Sequence, residues 1–300
     1  MSSEGTLRFG IATPIVTLFG RQESWERDAG PAELREIALA AERLGFAHLT
    51  CSEHVGIPTG IAPQRGSRYY DPLATFAFLA AITERLRFLT NVVVLPYHHP
   101  LEIAKRYGTL DLLSGGRLML GVGVGSLEQE FELLGAPFDE RGERYTDALR
   151  ALRAAFGRRQ PRYEGEHYAF SDFIIDPCGL QQQIPLWLGG RTARSLRRAL
   201  AAGDGWTPFA LSVSEVAALL ERARGWPEWA QREGDFDVAL PPDGRSDLTR
   251  PTGVDAMREA VARTLQAGAT VIQLSMDSDS LAHYLDQLEI FREHVVPEFA

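Results

Sequence analysis

One pattern runs almost the whole length of this chain: a short apolar run, then an amphipathic stretch of helical period, eight times over. The first run is Leu7 to Pro14, "LRFGIATP". The stretch from Pro31 to Gly45 follows it, with Leu34, Ile37, Ala38, Ala41 and Leu44 on one stripe. Its proline suits a first helical turn and its glycine suits a stop. The spacing predicts further strands over 47–51, 87–95, 118–124, 185–188, 205–209, 236–240 and 270–276. Helices are predicted over 71–83, 100–113, 143–156, 192–202, 214–224, 255–266 and 281–295. The irregular stretch between them, 157–184, carries "YEGEHYAF", which reads as a small hairpin.

Strands that are apolar throughout, each followed by a helix, pair in parallel and are covered by helices. The pattern fits an α/β fold of the (β/α)8 TIM-barrel type, which needs roughly 250 residues plus loops. A doubly wound sheet absorbs the same alternation. No shift of composition and no linker rich in Pro, Gly or Ser divides the chain, so residues 1–300 read as one domain. The stretches 157–184 and 224–250 read as insertions after strands 4 and 6.

Composition matters here for what it excludes. The net charge of −9 argues against a general nucleic-acid surface and makes any anionic ligand depend on a local basic pocket. Cys51 and Cys178 form neither a disulfide framework nor a zinc pattern, and His98 and His99 lack a third ligand at metal spacing. They read as loop residues, and no metal is expected. The longest apolar run, Pro72 to Ile82, is too short to span a bilayer. The start, Met1 to Gly5, lacks a signal peptide's basic and apolar regions, so a cytoplasmic location is the expectation.

The segment "GGRLMLGVGVGS", residues 115–126, imitates a dinucleotide-binding loop. It fails as one. Ser126 stands where the third glycine of G-x-G-x-x-G belongs, the strand is fourth in order rather than first, and no acidic residue ends a second strand about twenty residues on. In a barrel, alternate residues of a strand point inward. Gly121, Gly123 and Gly125 share that parity, so they either accept bulky neighbours from other strands or leave room for a flat ligand.

An ordered set of motifs resembles the luciferase-like monooxygenase superfamily. The set is "LTCSEHVGIP", "LTNVVVLPYHHPLEIAKRYGTLDLLSGGR", "GGRLMLGVGVGSLEQEFELLG", "RGERYTDALRALRAAF", "IPLWLGGRTARSLRRALAAGDGW" and "AGATVIQL". It is similar, more narrowly, to the branch that uses coenzyme F420, a deazaflavin, although enzymes of flavin mononucleotide (FMN) share most of these motifs. The resemblance implies a (β/α)8 barrel with the cofactor ring at the C-terminal mouth.

Carried onto this chain, the resemblance implies a set of site residues. His54 faces the ring and the substrate and assists proton transfer, work that suits an imidazole. Glu53 hydrogen-bonds the cofactor or orients His54. Thr90, Asn91 and Val92 buttress the ring, with a cis peptide bond before Val92. Gly123, Gly125 and Ser126 border the ring. Gly189, Gly190, Arg191 and Thr192 receive the phosphate where a strand meets a helix N-terminus. Arg191, Arg194 and Arg198, spaced i, i+3, i+7, are placed to screen the phosphate or the anionic tail of F420. Serine at 126 departs from the glutamate that related sugar-phosphate dehydrogenases use as an acid, and it is a poor acid. Asp147 replaces a frequent glutamate without expected chemical effect. Phe209, Pro208 and Met276 are candidates to line the substrate pocket.

The expectation is therefore an F420-dependent oxidoreductase, passing hydride between the deazaflavin and a small organic substrate. An FMN-dependent monooxygenase is the first alternative, and a non-catalytic cofactor-binding barrel the second. A homodimer through the second and third helices is expected as well.

Overall fold

The computed structural model describes residues 7–19 and 24–299. The Met1–Gly5 segment read above lies outside the described residues. Eight strands make the barrel: β1 (Arg8–Ile11), β2 (His48–Cys51), β3 (Arg87–Thr90), β4 (Leu118–Gly123), β5 (Leu186–Gly189), β6 (Gly205–Thr207), β7 (Asp237–Leu240) and β8 (Val271–Leu274). Every neighbouring pair is parallel. The order runs β3-β2-β1-β8-β7-β6-β5-β4, and pairing of β4 with β3 closes the ring. An open doubly wound sheet is thereby excluded.

Eight helices follow the strands: α1 (Pro31–Arg43), α2 (Pro72–Ala80), α3 (Pro100–Leu113), α4 (Arg141–Ala155), α5 (Ala193–Ala202), α6 (Val213–Ala223), α7 (Gly253–Gln266) and α8 (Leu281–Ile290). Their starts are chemically marked. Asp71 accepts a hydrogen bond from the Ala74 N–H at 2.8 Å at the head of α2, and Ser212 with Glu215 forms a capping box on α6.

The core has two parts. One large apolar layer lies between strands and helices, and Leu89, Met119, Trp187, Ala239 and Val271 form a separate cluster inside the barrel. Beside Trp187 in the lumen, His48 lies 2.7 Å from Gln273 through Nε2 and Oε1. Arg8 and Asp237 pair at the strand starts.

The third strand departs from the sequence reading. Instead of one run over 87–95, β3 stops at Thr90, and Val93–Val94 then pair with Val122 and Gly123 of β4. The Asn91–Val92 peptide bond between them is cis, at the place the resemblance implied. β-Branched residues favour a continuous strand, but here the chain detours toward β4, whose glycines leave it the space.

The 157–185 connection carries the expected hairpin, with Tyr163–Glu164 antiparallel to Ala169–Phe170. Asp147 of α4 fastens it by accepting hydrogen bonds from the Tyr163 hydroxyl and from the N–H groups of His167 and Tyr168. Asp147 thus has a structural task that the sequence did not suggest. Buried Asp111 of α3 accepts from the N–H groups of Leu180 and Gln181, each at 2.8 Å. No helix among the described residues is long and apolar enough to cross a membrane.

Candidate functional site

The carboxyl ends of the strands gather most of the residues singled out above. The glycines of β4 explain the detour of its neighbour. A Cβ on Gly123 would stand 2.6 Å from Cγ2 of Val92, and one on Gly121 would collide with the Thr90 carbonyl oxygen. On the neighbouring strand β5, a Cβ on Gly189 would come within 3.1 Å of Val92 Cγ1. The inward glycines therefore do not leave a void. Gly123, with Gly189, seats Val92, which remains half-buried between them. Thr90 donates its hydroxyl to the Gly121 carbonyl at 2.7 Å, and Thr207 of β6 donates to the Asn91 side-chain oxygen at 3.3 Å.

Gly125 has φ +78°, where side chains are disfavoured, and a Cβ there would meet Phe131 and Val94 at 2.7 Å. This tight passage brings in a short helix, Glu128–Leu134, that the sequence reading did not separate from the loop before α4. Phe131 buries completely and packs edge-on against Tyr97, ring centroids 4.6 Å apart. Its neighbour Glu130, 1 % exposed, is thereby turned inward.

Glu130 meets His54. Its Oε2 accepts from His54 Nδ1 at 2.8 Å and from the Tyr97 hydroxyl at 2.9 Å. Its Oε1 accepts from the N–H groups of Val55 and Gly56. Burial alone would raise the Glu130 carboxyl, but the bonds from His54, Tyr97 and Val55 outweigh it and hold the group below the ordinary glutamate value. Burial, and then the Glu130 charge, push the Tyr97 hydroxyl up. The His54 ring also meets Tyr69 edge-on at 4.5 Å.

Glu53 does not orient His54. Its Oε2 accepts from the Val94 N–H at 2.7 Å, and its Oε1 lies 2.9 Å from His98 Nε2. Glu53 is a buried clamp on the chain after the cis bond, and His98 is its partner rather than a free loop residue. His99 caps α3, its Nδ1 accepting from the Leu101 N–H. Glu130 was missed in the sequence because a carboxylate inside an amphipathic stretch normally faces water.

The β5–α5 junction brings Gly189, Gly190, Arg191 and Thr192 to the same rim. Thr192 and Ser195 form a reciprocal capping box, which leaves the N–H groups of Ala193 and Arg194 without an acceptor among the described residues. Arg191 and Arg194 are exposed, and Arg191 lies over Phe209 at 5.8 Å. Arg198 differs from the expectation: it donates to the Gly142 carbonyl at 2.9 Å and lies over Tyr145, so it ties α5 to α4. Ser126 is exposed on the rim, and Met276 is buried.

This arrangement fits a planar ring backed by Val92, with an anionic group near the open donors of α5. A cavity of about 730 Å³ lies elsewhere, among Leu200, Leu220, Trp229, Phe236, Val238 and Thr270. Val238 and Thr270 belong to the starts of strands, so that cavity is at the end of the barrel opposite the usual catalytic face.

A closed ring of eight parallel strands with helices around it defines a (β/α)8 barrel protein. The chain belongs to the luciferase-like monooxygenase family, whose model matches residues 8–281. It is similar to an uncharacterized protein of Mycobacterium tuberculosis, 29 % identical over 274 residues covering 87 % of this chain and 93 % of that one. Among solved structures it resembles an F420-dependent secondary alcohol dehydrogenase in complex with an F420–acetone adduct (TM-score 0.77, 15 % identity, 98 % of this chain and 99 % of that one). It also resembles the oxygenating constituent of 3,6-diketocamphane monooxygenase from Pseudomonas putida in complex with FMN (TM-score 0.76, 15 % identity, 98 % and 99 %). Solved structures of this fold thus include one that holds an F420 adduct and one that holds FMN.

Proposed function

We propose that the chain is an F420-dependent oxidoreductase acting on a small organic substrate, with the cofactor at the carboxyl rim of the barrel. The observation that carries this reading is the pair of His54 and buried Glu130 after the carboxyl end of β2. When bound, the deazaflavin supplies two-electron hydride exchange with a carbon centre.

The residues of the chain supply the rest. Val92, held between Gly123 and Gly189, forms a hydrophobic wall for one face of the ring. The free N–H groups of α5, together with Gly190, Arg191 and Thr192, receive the phosphate, and Arg191 with Arg194 suits the anionic tail that FMN lacks. Gly125 and Ser126 border the ring, and Ser126 contributes a hydrogen bond rather than an acid. Thr90, Asn91 and Glu53 act one step back, by fixing the backbone that carries Val92. His54 takes or returns the proton that accompanies oxidation or reduction of the substrate.

We place this activity in the cytoplasm and in a homodimer. Phe78 of α2 and Leu112 and Leu113 of α3, exposed on two helices in contact, support the pairing.

The test is separate fluorescence titration of the purified protein with F420 and with FMN. Saturable F420 binding with weak or no FMN binding is expected. Tight FMN binding without F420 binding overturns the choice and favours the monooxygenase reading.

A further inference from the structure

We propose that Glu130 is a positioning residue that fixes the His54 imidazole as its Nδ1–H tautomer, leaving the Nε2 lone pair at the barrel mouth as the proton acceptor. The claim concerns the same site as the proposed function, and rests on it only for the identity of what the proton comes from.

Four donors divide between the two oxygens of one carboxylate. The N–H groups of Val55 and Gly56 both point at Oε1, and backbone donors cannot reverse. Oε2 faces His54 Nδ1 at 2.8 Å and the Tyr97 hydroxyl at 2.9 Å. An ionised carboxylate only accepts hydrogen bonds, so Nδ1 must carry a proton and Tyr97 must donate. A neutral imidazole has one N–H, and so Nε2 holds the lone pair. Nε2 makes no hydrogen bond among the described residues, and the His54 side chain is 19 % exposed against 0 % for Glu130. The Tyr69 ring and the Nδ1 bond together restrain the plane of the imidazole. This is the logic by which a buried acid orients a catalytic histidine in unrelated enzymes.

The same geometry makes Glu130→Gln an informative change. The amide oxygen must stay at the Oε1 position, because two backbone donors face it. The amide nitrogen must then occupy the Oε2 position, where it donates to Nδ1 and to the Tyr97 oxygen. Nδ1 becomes an acceptor, and the imidazole proton moves to Nε2. Every polar group in the cluster keeps a partner or reaches water, so the fold survives while the mouth-facing nitrogen changes from acceptor to donor.

The experiment uses cofactor-free protein with 15N-labelled histidine, at a pH where the ring is neutral, with His54 assigned by loss of its signals in His54→Ala. Long-range 1H–15N spectra are expected to show protonated Nδ1 and bare Nε2 in the parent and in Tyr97→Phe, and the inverse in Glu130→Gln. Diethyl pyrocarbonate, whose carbonyl carbon is attacked by the lone pair of the bare nitrogen with loss of ethyl carbonate, is expected to modify His54 in Glu130→Gln at least 10-fold more slowly than in the parent, read by peptide mass. An Nε2–H ring in the parent, or the same tautomer in parent and Glu130→Gln, overturns the assignment. No cofactor enters these measurements, so failure of F420 to bind would defeat the proposed function and leave this result untouched.

Discussion

His48 makes the stability of this barrel sensitive to mild acid. The ring is 2 % exposed, inside the lumen beside Trp187, and its one hydrogen-bond partner among the described residues is Gln273. Burial, and then the nearby charges of Arg8 and Arg87, push its pKa down from the ordinary 6.5 to about 4, although the Gln273 bond opposes this. The folded protein therefore favours the neutral ring. Between pH 6.5 and about 4 the unfolded chain binds more protons, so stability falls as pH falls through that window. The contribution is whole above pH 6.5 and gone below about 4. At about 1.36 kcal/mol per pH unit, the gap amounts to about 3 kcal/mol. The assay is urea unfolding of the parent and of His48→Gln at several values from pH 7.5 to pH 4. Other acids and histidines titrate alike in both proteins, so the difference in stability isolates His48. That difference is expected to move by about 3 kcal/mol against the parent on acidification, whatever the offset at neutral pH. A difference that stays flat within about 0.5 kcal/mol would refute the argument, because the ring would then titrate alike in both states.

Three further outcomes are expected. Gly123→Ala sets a methyl 2.6 Å from Val92 Cγ2; overpacking costs about 1–3 kcal/mol in urea unfolding, and displacement of Val92 into the mouth weakens F420 binding at least 10-fold by fluorescence titration. Arg191→Ala weakens F420 more than FMN in the same titration, whereas Arg198→Ala, which cuts a tie to Gly142, lowers stability and leaves both affinities within about twofold. Asp147→Ala strips an acceptor from three donors; a loss of about 2 kcal/mol and faster proteolytic cleavage within residues 157–185 are expected, with F420 affinity unchanged.

The parts of the fold legible in the sequence were those governed by local chemistry. Helix α3 begins and ends where the sequence put it, because Pro100 can start a helix and Gly115–Gly116 can follow its stop. The alternation of apolar runs was enough to choose parallel pairing, and the order of motifs chose a barrel over an open sheet. What escaped was set by distant partners. "VVVL" has every local reason to be one strand, and only the glycines of β4, near 121 and 123, permit the break at Asn91–Val92. Arg198 looked like a free cation on a helical face, yet its carbonyl partner is 56 residues away. Glu130 was the deepest omission, since hydropathy sends a glutamate to solvent and only the packing of Phe131 against Tyr97 turns it toward His54. Chain proximity offered Glu53 as the partner of His54, but Glu53 bonds the Val94 N–H and His98, and the carboxylate at His54 is Glu130, to which the sequence reading assigned no role.

The passage of Val92 between two bare backbone positions carries a lesson for reading related chains. Closely spaced glycines beside a parallel strand measure how far the adjacent strand wanders, before they say anything about nucleotides. A sequence filter that counts glycines alone would classify this protein among dinucleotide binders for a reason unrelated to phosphate. A redesign that straightens β3 would have to refill β4 in the same step, since neither strand's shape makes sense without the other's.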